Sequence, residues 1–84
     1  MLIHGRGGYA IVTWSNAPTS EGAWVSVVPV GTPETSHVGK WTYTNQTAAS
    51  RYEAGPLRTG EYEARFYGNA AYSNLIERVR FRVP

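Results

Sequence analysis

The chain reads as an all-β domain of antiparallel strands, each with one face on a core, and three observations point there. Its last third alternates apolar and charged residues with a period of two, as a half-buried strand requires. Upstream, β-branched and aromatic runs recur roughly every 8–12 residues with turn chemistry between them, the pattern of a sandwich or small barrel. No window of about eleven residues spaces its apolar side chains as a helix would.

The elements follow in order. Residues 1–8 are expected to be a flexible or docking lead-in. They hold the one Gly-rich run, Gly5-Arg6-Gly7-Gly8, and no helix follows it to make a phosphate cradle. Tyr9–Trp14 is the first predicted strand, and Ser15–Gly22 a turn-rich loop. Trp24–Val30 is the second, ending or lying at an edge near Pro29, which cannot donate to a ladder. Val38–Thr44 is the third, carrying Trp41 and Tyr43, and Ser50–Glu53 a weaker fourth. Ala54–Gly60 turns into a hairpin of Gly60–Tyr67 and Leu75–Val83, with Gly68–Asn74 as its loop. In that hairpin Tyr62, Ala64, Phe66, Val79, Phe81 and Val83 are expected inside. Glu61, Glu63, Arg65, Arg78, Arg80 and Arg82 are expected to share a solvated outer face.

Composition bounds what such a domain can be. Its 84 residues make one domain, 1–84. A chain this small buries only about 60–65% of the surface its unfolded state exposes, so its stability margin is thin. There is no cysteine and hence no disulfide. Eleven aromatics supply the core instead, each able to bury roughly 150–250 Å². The net charge of +2 is low for a nucleic-acid binder, and no specific nucleic-acid partner is expected. No apolar h-region or spanning segment follows Met1–Ile3, so no membrane partner is expected and the compartment stays unassigned.

Enzyme chemistry finds few groups to use. The chain has no Asp, no Cys, two histidines and six scattered glutamates. His4 and His37 sit in Gly- or Ser-flanked loops, without a spacing that would brace a triad or ligate a metal. Calcium loops cluster Asp, Asn and Gly, which is not seen here. No catalytic residue, metal or cofactor is expected.

Binding surfaces remain. Arg78, Arg80 and Arg82 would project from one face at about 6.6–6.8 Å intervals, close to the spacing of alternate phosphates or sulfates. The same face carries Glu61 and Glu63, and a register with Glu63 opposite Arg78 and Glu61 opposite Arg80 would make ordinary cross-strand pairs instead. Among the aromatics, Trp14, Trp41, Tyr62, Phe66 and Phe81 alternate as core residues. Trp24, Tyr67 and Tyr72 fall beside polar residues or at the hairpin tip, where exposed rings serve as sugar platforms or protein hot spots.

Several motifs together resemble a small bacterial immunoglobulin-like β-sandwich module of the kind appended to phosphoesterases and von Willebrand factor A proteins. They are Trp14-Ser15-Asn16-Ala17-Pro18, Trp24-Val25-Ser26-Val27-Val28-Pro29-Val30-Gly31, Trp41-Thr42-Tyr43, Gly60-Glu61-Tyr62-Glu63-Ala64-Arg65 and Phe81-Arg82-Val83. The SKICH domains of eukaryotic adaptors have comparable strands. The chain departs from the pattern at Ala23, where the family usually carries Asp before the tryptophan, so no role of that acid transfers. The resemblance implies an immunoglobulin-like antiparallel sandwich of about six to seven short strands, an accessory habit and no catalytic residues.

Two functions are expected from these readings. One is a non-catalytic structural or interaction module working through protein surfaces or self-assembly, for instance as a virion-type decoration subunit, because a thinly stable domain gains from assembly. The other is a carbohydrate-binding module that stacks a polysaccharide on Trp24, Tyr67 and Tyr72.

Overall fold

Seven strands and no helix form among the residues that the computed structural model describes, which are 1–15, 22–34, 40–44, 49–69, 72 and 74–84. The strands are β1 (Leu2–Arg6), β2 (Tyr9–Trp14), β3 (Trp24–Pro29), β4 (Lys40–Tyr43), β5 (Ser50–Ala54), β6 (Gly60–Tyr67) and β7 (Leu75–Val83). They make two antiparallel sheets, ordered β1-β2-β5 and β4-β3-β6-β7. The hairpins β1-β2, β3-β4 and β6-β7 thus pair within a sheet, and the chain crosses between sheets at β2–β3, β4–β5 and β5–β6, as in immunoglobulin-like sandwiches.

The lead-in expected at residues 1–8 is a strand and a turn. β1 pairs with β2 from Leu2 opposite Thr13 to Arg6 opposite Tyr9, which leaves Gly7 and Gly8 as a two-residue hairpin loop. Gly8 sits at φ +89°, a conformation that glycine adopts without a Cβ penalty. The Arg6 guanidinium lies 5.6 Å from the centre of the Tyr9 ring beside this turn. Gly5 has a different task. A Cβ there would fall 2.1 Å from the Arg82 carbonyl oxygen, so its hydrogen atom is what lets β1 lie against β7 and close one flank of the sandwich.

The core fills the space between the sheets. Val12, Trp14 and Ala54 come from the three-stranded sheet, and Val25, Val27, Tyr62, Ala64, Phe66 and Val83 from the other. Trp14 meets Phe66 edge-to-face across the interlayer space, with ring centroids 6.3 Å apart. Met1, Ile3, Tyr52, Leu57 and Phe81 close the rim. Full burial of each Val or Phe side chain contributes about 1.5–3 kcal/mol, which is how a chain without disulfides holds together.

The C-terminal hairpin has the expected strands in a different register. Glu61 faces Arg82, Glu63 faces Arg80 and Arg65 faces Arg78, two residues away from the expected pairing. Packing on the core side explains the shift. Here Phe81 lies beside Tyr62 and Val79 beside the small Ala64, whereas the expected register would bring Glu77 opposite Ala64 in the interior. Glu77 falls instead opposite Phe66 beside the bulge at the strand end, where it is exposed at the rim and its carboxylate lies 3.1 Å from the Met1 amino group.

The outer face of the four-stranded sheet is not uniformly solvated. Trp24 through Val28 are all buried, so β3 is covered on both sides, and so is β6 from Tyr62 to Tyr67. The cover includes Thr32, Pro33 and Glu34, which follow β3 and cross this face. Arg65 donates from Nη1 to the Pro33 carbonyl at 2.8 Å and from Nη2 to that of Thr32. The Tyr67 hydroxyl donates to the Glu34 carbonyl at 2.9 Å.

Candidate interaction surface

Cross-strand pairing assembles one face of the molecule row by row. Tyr43, Trp24 and Tyr67 stand abreast on β4, β3 and β6, and Trp41, Ser26, Arg65 and Arg78 form the next row across to β7. Alternation places all of these side chains on the outer side of the sheet. One half of the face is therefore aromatic and the other half ionic.

The aromatic half gathers Trp24, Tyr67 and Tyr72, but in a different state from the one expected. Trp24 and Tyr67 stack face to face, with centroids 4.2 Å apart and planes 9° from parallel. Both are buried, so neither offers an open ring face to a sugar. Tyr72 stands edge-on to the pair, 5.5 Å from Trp24 and 5.8 Å from Tyr67. The exposed rings are Trp41 at 41% and Tyr43 at 49%. Trp41 was expected in the core. It lies on the outer face because it pairs with Ser26 rather than with an inward-facing valine. Trp41 meets Tyr43 at 5.0 Å and 89°, and Trp24 at 5.9 Å and 80°. Mutual edge contacts fix the tilt of each ring, because π-systems attract edge to face.

The ionic half accounts for the arginine stripe. Arg82 lies 2.8 Å from the Glu61 carboxylate, Arg80 lies 3.6 Å from that of Glu63, and Arg78 lies 2.6 Å from that of Glu34. Each stripe arginine thus faces an acid, and Arg78 takes one that no hairpin register would have supplied. Beneath them is a pair that sequence reading placed in solvent. Arg65 and Glu63 are 3% and 5% exposed, joined at 2.7 Å through Arg65 Nε. Burial pulls against the charge of Arg65, but the hydrogen bonds and charges of Glu63 and then Tyr67 hold its pKa above the usual guanidinium value. Burial also raises the Tyr67 hydroxyl, opposed by Arg65 and reinforced by Glu34 and Tyr72. The signal for this cover was the run Trp24–Val28. Apolar residues at both parities of one strand mean that both of its faces are covered.

Chemistry elsewhere is sparse. Among the described residues no group of three or more His, Cys, Asp or Glu could hold a metal ion. His4 is exposed on β1, and His37 lies outside the described residues, as does part of the Trp14–Pro18 motif. A shallow groove of about 370 Å³ is lined by Gly8, Tyr9, Glu53, Gly55 and Pro56. Its one carboxylate, Glu53, is already paired with Arg51.

No family model, curated protein or solved structure matches the chain.

Proposed function

We propose that the chain is a non-catalytic β-sandwich interaction module that docks on a protein surface through Trp41 and Tyr43. It would serve as an accessory to a larger protein or as a decoration subunit on a particle, in keeping with the modules it resembles. The observation that carries this reading is the pairing of two half-exposed rings on a short edge strand, backed by the buried Trp24–Tyr67 stack. Exposed rings of this kind bring large contact area at low entropic cost, since their tilt is already set before a partner arrives. Trp and Tyr in such positions dominate interface energetics. Sugar binding has weaker support, because the 89° angle between Trp41 and Tyr43 leaves no common plane for successive pyranose rings.

The test is affinity capture from cells that carry the gene, using the wild type and the Trp41→Ala/Tyr43→Ala double variant. A defined partner enriched by the wild type should be lost by at least about tenfold in the variant. The wild-type thermal midpoint should survive to within a few degrees, both side chains being half-exposed. Undiminished capture of the same partner would defeat the reading. Quenching of tryptophan fluorescence by a polysaccharide, lost with Trp41→Ala, would favour the carbohydrate reading instead.

A further inference from the structure

We infer that β5 is a self-pairing edge, through which two copies of this chain join antiparallel about Tyr52 and fuse two three-stranded sheets into one. The partner is a second copy, and three observations single it out. The surface belongs to the other sheet from Trp41 and Tyr43, so it stands independently of the function proposed above.

The first observation is an open edge. β5 is last in the order β1-β2-β5, and among the described residues no strand lies beyond it. The opposite flank is closed more fully, because Gly5 lets β1 lie against β7, whereas β5 makes only a slight contact with β4 of the other sheet. β5 is short and charged, but its two charges are of opposite sign and so do not blunt it against a complementary strand. It has no proline, and its pairing with β2 runs unbroken from Ala54 to Ser50.

The second is hydrogen-bond phase. Arg6 and Tyr9 close the Gly7–Gly8 turn, so the main chain of Tyr9, Ile11 and Thr13 turns toward β1. Alternation turns Ala10, Val12 and Trp14 toward β5, and their partners Ala54, Tyr52 and Ser50 toward β2. The N–H and C=O groups of Arg51 and Glu53 are therefore the ones presented outward, ready for a strand to add.

The third is charge. Arg51 and Glu53 are 58% and 60% exposed and already form an ion pair along the strand. Antiparallel pairing about Tyr52 sets Arg51 of each copy opposite Glu53 of the other, giving a ring of four alternating charges and four main-chain hydrogen bonds. In-register parallel pairing would oppose Arg51 to Arg51 and Glu53 to Glu53, which is repulsive. A like-charged strand would repel every copy of itself. This one repels the parallel arrangement and favours the antiparallel.

Sedimentation velocity up to about 1 mM protein at low salt tests the inference, since a five-residue edge buries less than a standard interface and binds weakly. The wild type should dimerise reversibly. Arg51→Glu and Glu53→Arg should each weaken dimerisation by about tenfold or more. An equimolar mixture of the two should recover a heterodimer, and the double exchange Arg51→Glu/Glu53→Arg should recover the homodimer. Trp41→Ala/Tyr43→Ala should leave the dimer intact. In the wild type alone, hydrogen exchange at the Arg51 and Glu53 amides should slow as concentration rises, a readout that needs no variant. A strict monomer at the highest concentration, self-association indifferent to the inversions, or amide protection independent of concentration would each overturn it.

Discussion

Gly5 carries the tightest packing constraint among the described residues of the N-terminal hairpin. A methyl group at its Cα would sit 2.1 Å from the Arg82 carbonyl oxygen, a main-chain atom that cannot swing aside. Gly5→Ala must therefore push β1 off β7, at a cost of about 2 kcal/mol or more. Gly7→Ala is the matched control, because nothing lies within 4 Å of its Cβ position, and it should change stability by less than about 0.5 kcal/mol. Urea denaturation separates the two, and equal midpoints would show that the β1–β7 approach carries no strain. Sequence reading took the whole Gly5–Gly8 run as a lead-in and separated neither the glycines that turn the chain nor the one that packs. The turn is local, while the packing depends on which strand lies alongside. The tryptophans show the same limit. Trp14 alternates with Val12 and Ala10 in a run whose parity is plain, and it lies in the core. For Trp41 the parity was ambiguous, because Thr42 and Lys40 say little about which side is dry, and its exposure was settled by the partner residue Ser26.

The strands from β2 onward were readable because period-two alternation and turn residues are properties of neighbouring residues, while β1 was read as a lead-in. Register and cover were not readable, because both are decided between segments. The Thr32–Glu34 crossing illustrates this. Sequence gives a loop of Gly, Thr and Pro, and only the fold brings its carbonyl groups over β6. Arg65 is the anchor of that crossing, holding the Thr32 and Pro33 carbonyls and the Glu63 carboxylate at once. Its removal would leave Glu63 buried, with only the more distant and exposed Arg80 for compensation. Arg65→Met should thus destabilise by about 3–5 kcal/mol, enough to unfold much of a domain this small. The Glu63→Leu/Arg65→Met double variant deletes both charges and should recover most of that loss, since an apolar pair can replace a buried ion pair. Chemical denaturation of the three proteins gives the comparison. A double variant no more stable than Arg65→Met would mean that the carbonyl contacts, rather than the charge of Glu63, hold the crossing in place.

The two sheets together bury phenol groups at opposite sides of the molecule, and this makes the whole fold sensitive to alkali. Tyr52 rims the core beside β2, and Tyr67 lies under the outer-face cover; burial is the leading cause that raises both hydroxyl pKa values. Unfolded tyrosines ionise near pH 10. From about pH 10 upward the unfolded chain gives up protons that the folded chain keeps. It then binds fewer protons than the native state, and stability falls as pH rises. The fall begins at the unfolded value and is complete once pH passes the raised folded values. Below about pH 9 both states hold these protons, and neither phenol contributes any slope. Tyr52→Phe/Tyr67→Phe should be less stable than the wild type near neutral pH by about 1–2 kcal/mol, chiefly from the lost Tyr67–Glu34 hydrogen bond. Its decline above pH 10 should nevertheless be shallower. Urea midpoints measured at intervals from pH 8 to about pH 11.5, in dilute protein to avoid association at β5, provide the check. Parallel alkaline limbs for the two proteins would mean that these hydroxyls ionise as readily in the sandwich as in the open chain, and that burial at the rim and under the crossing is not felt as a proton-binding preference.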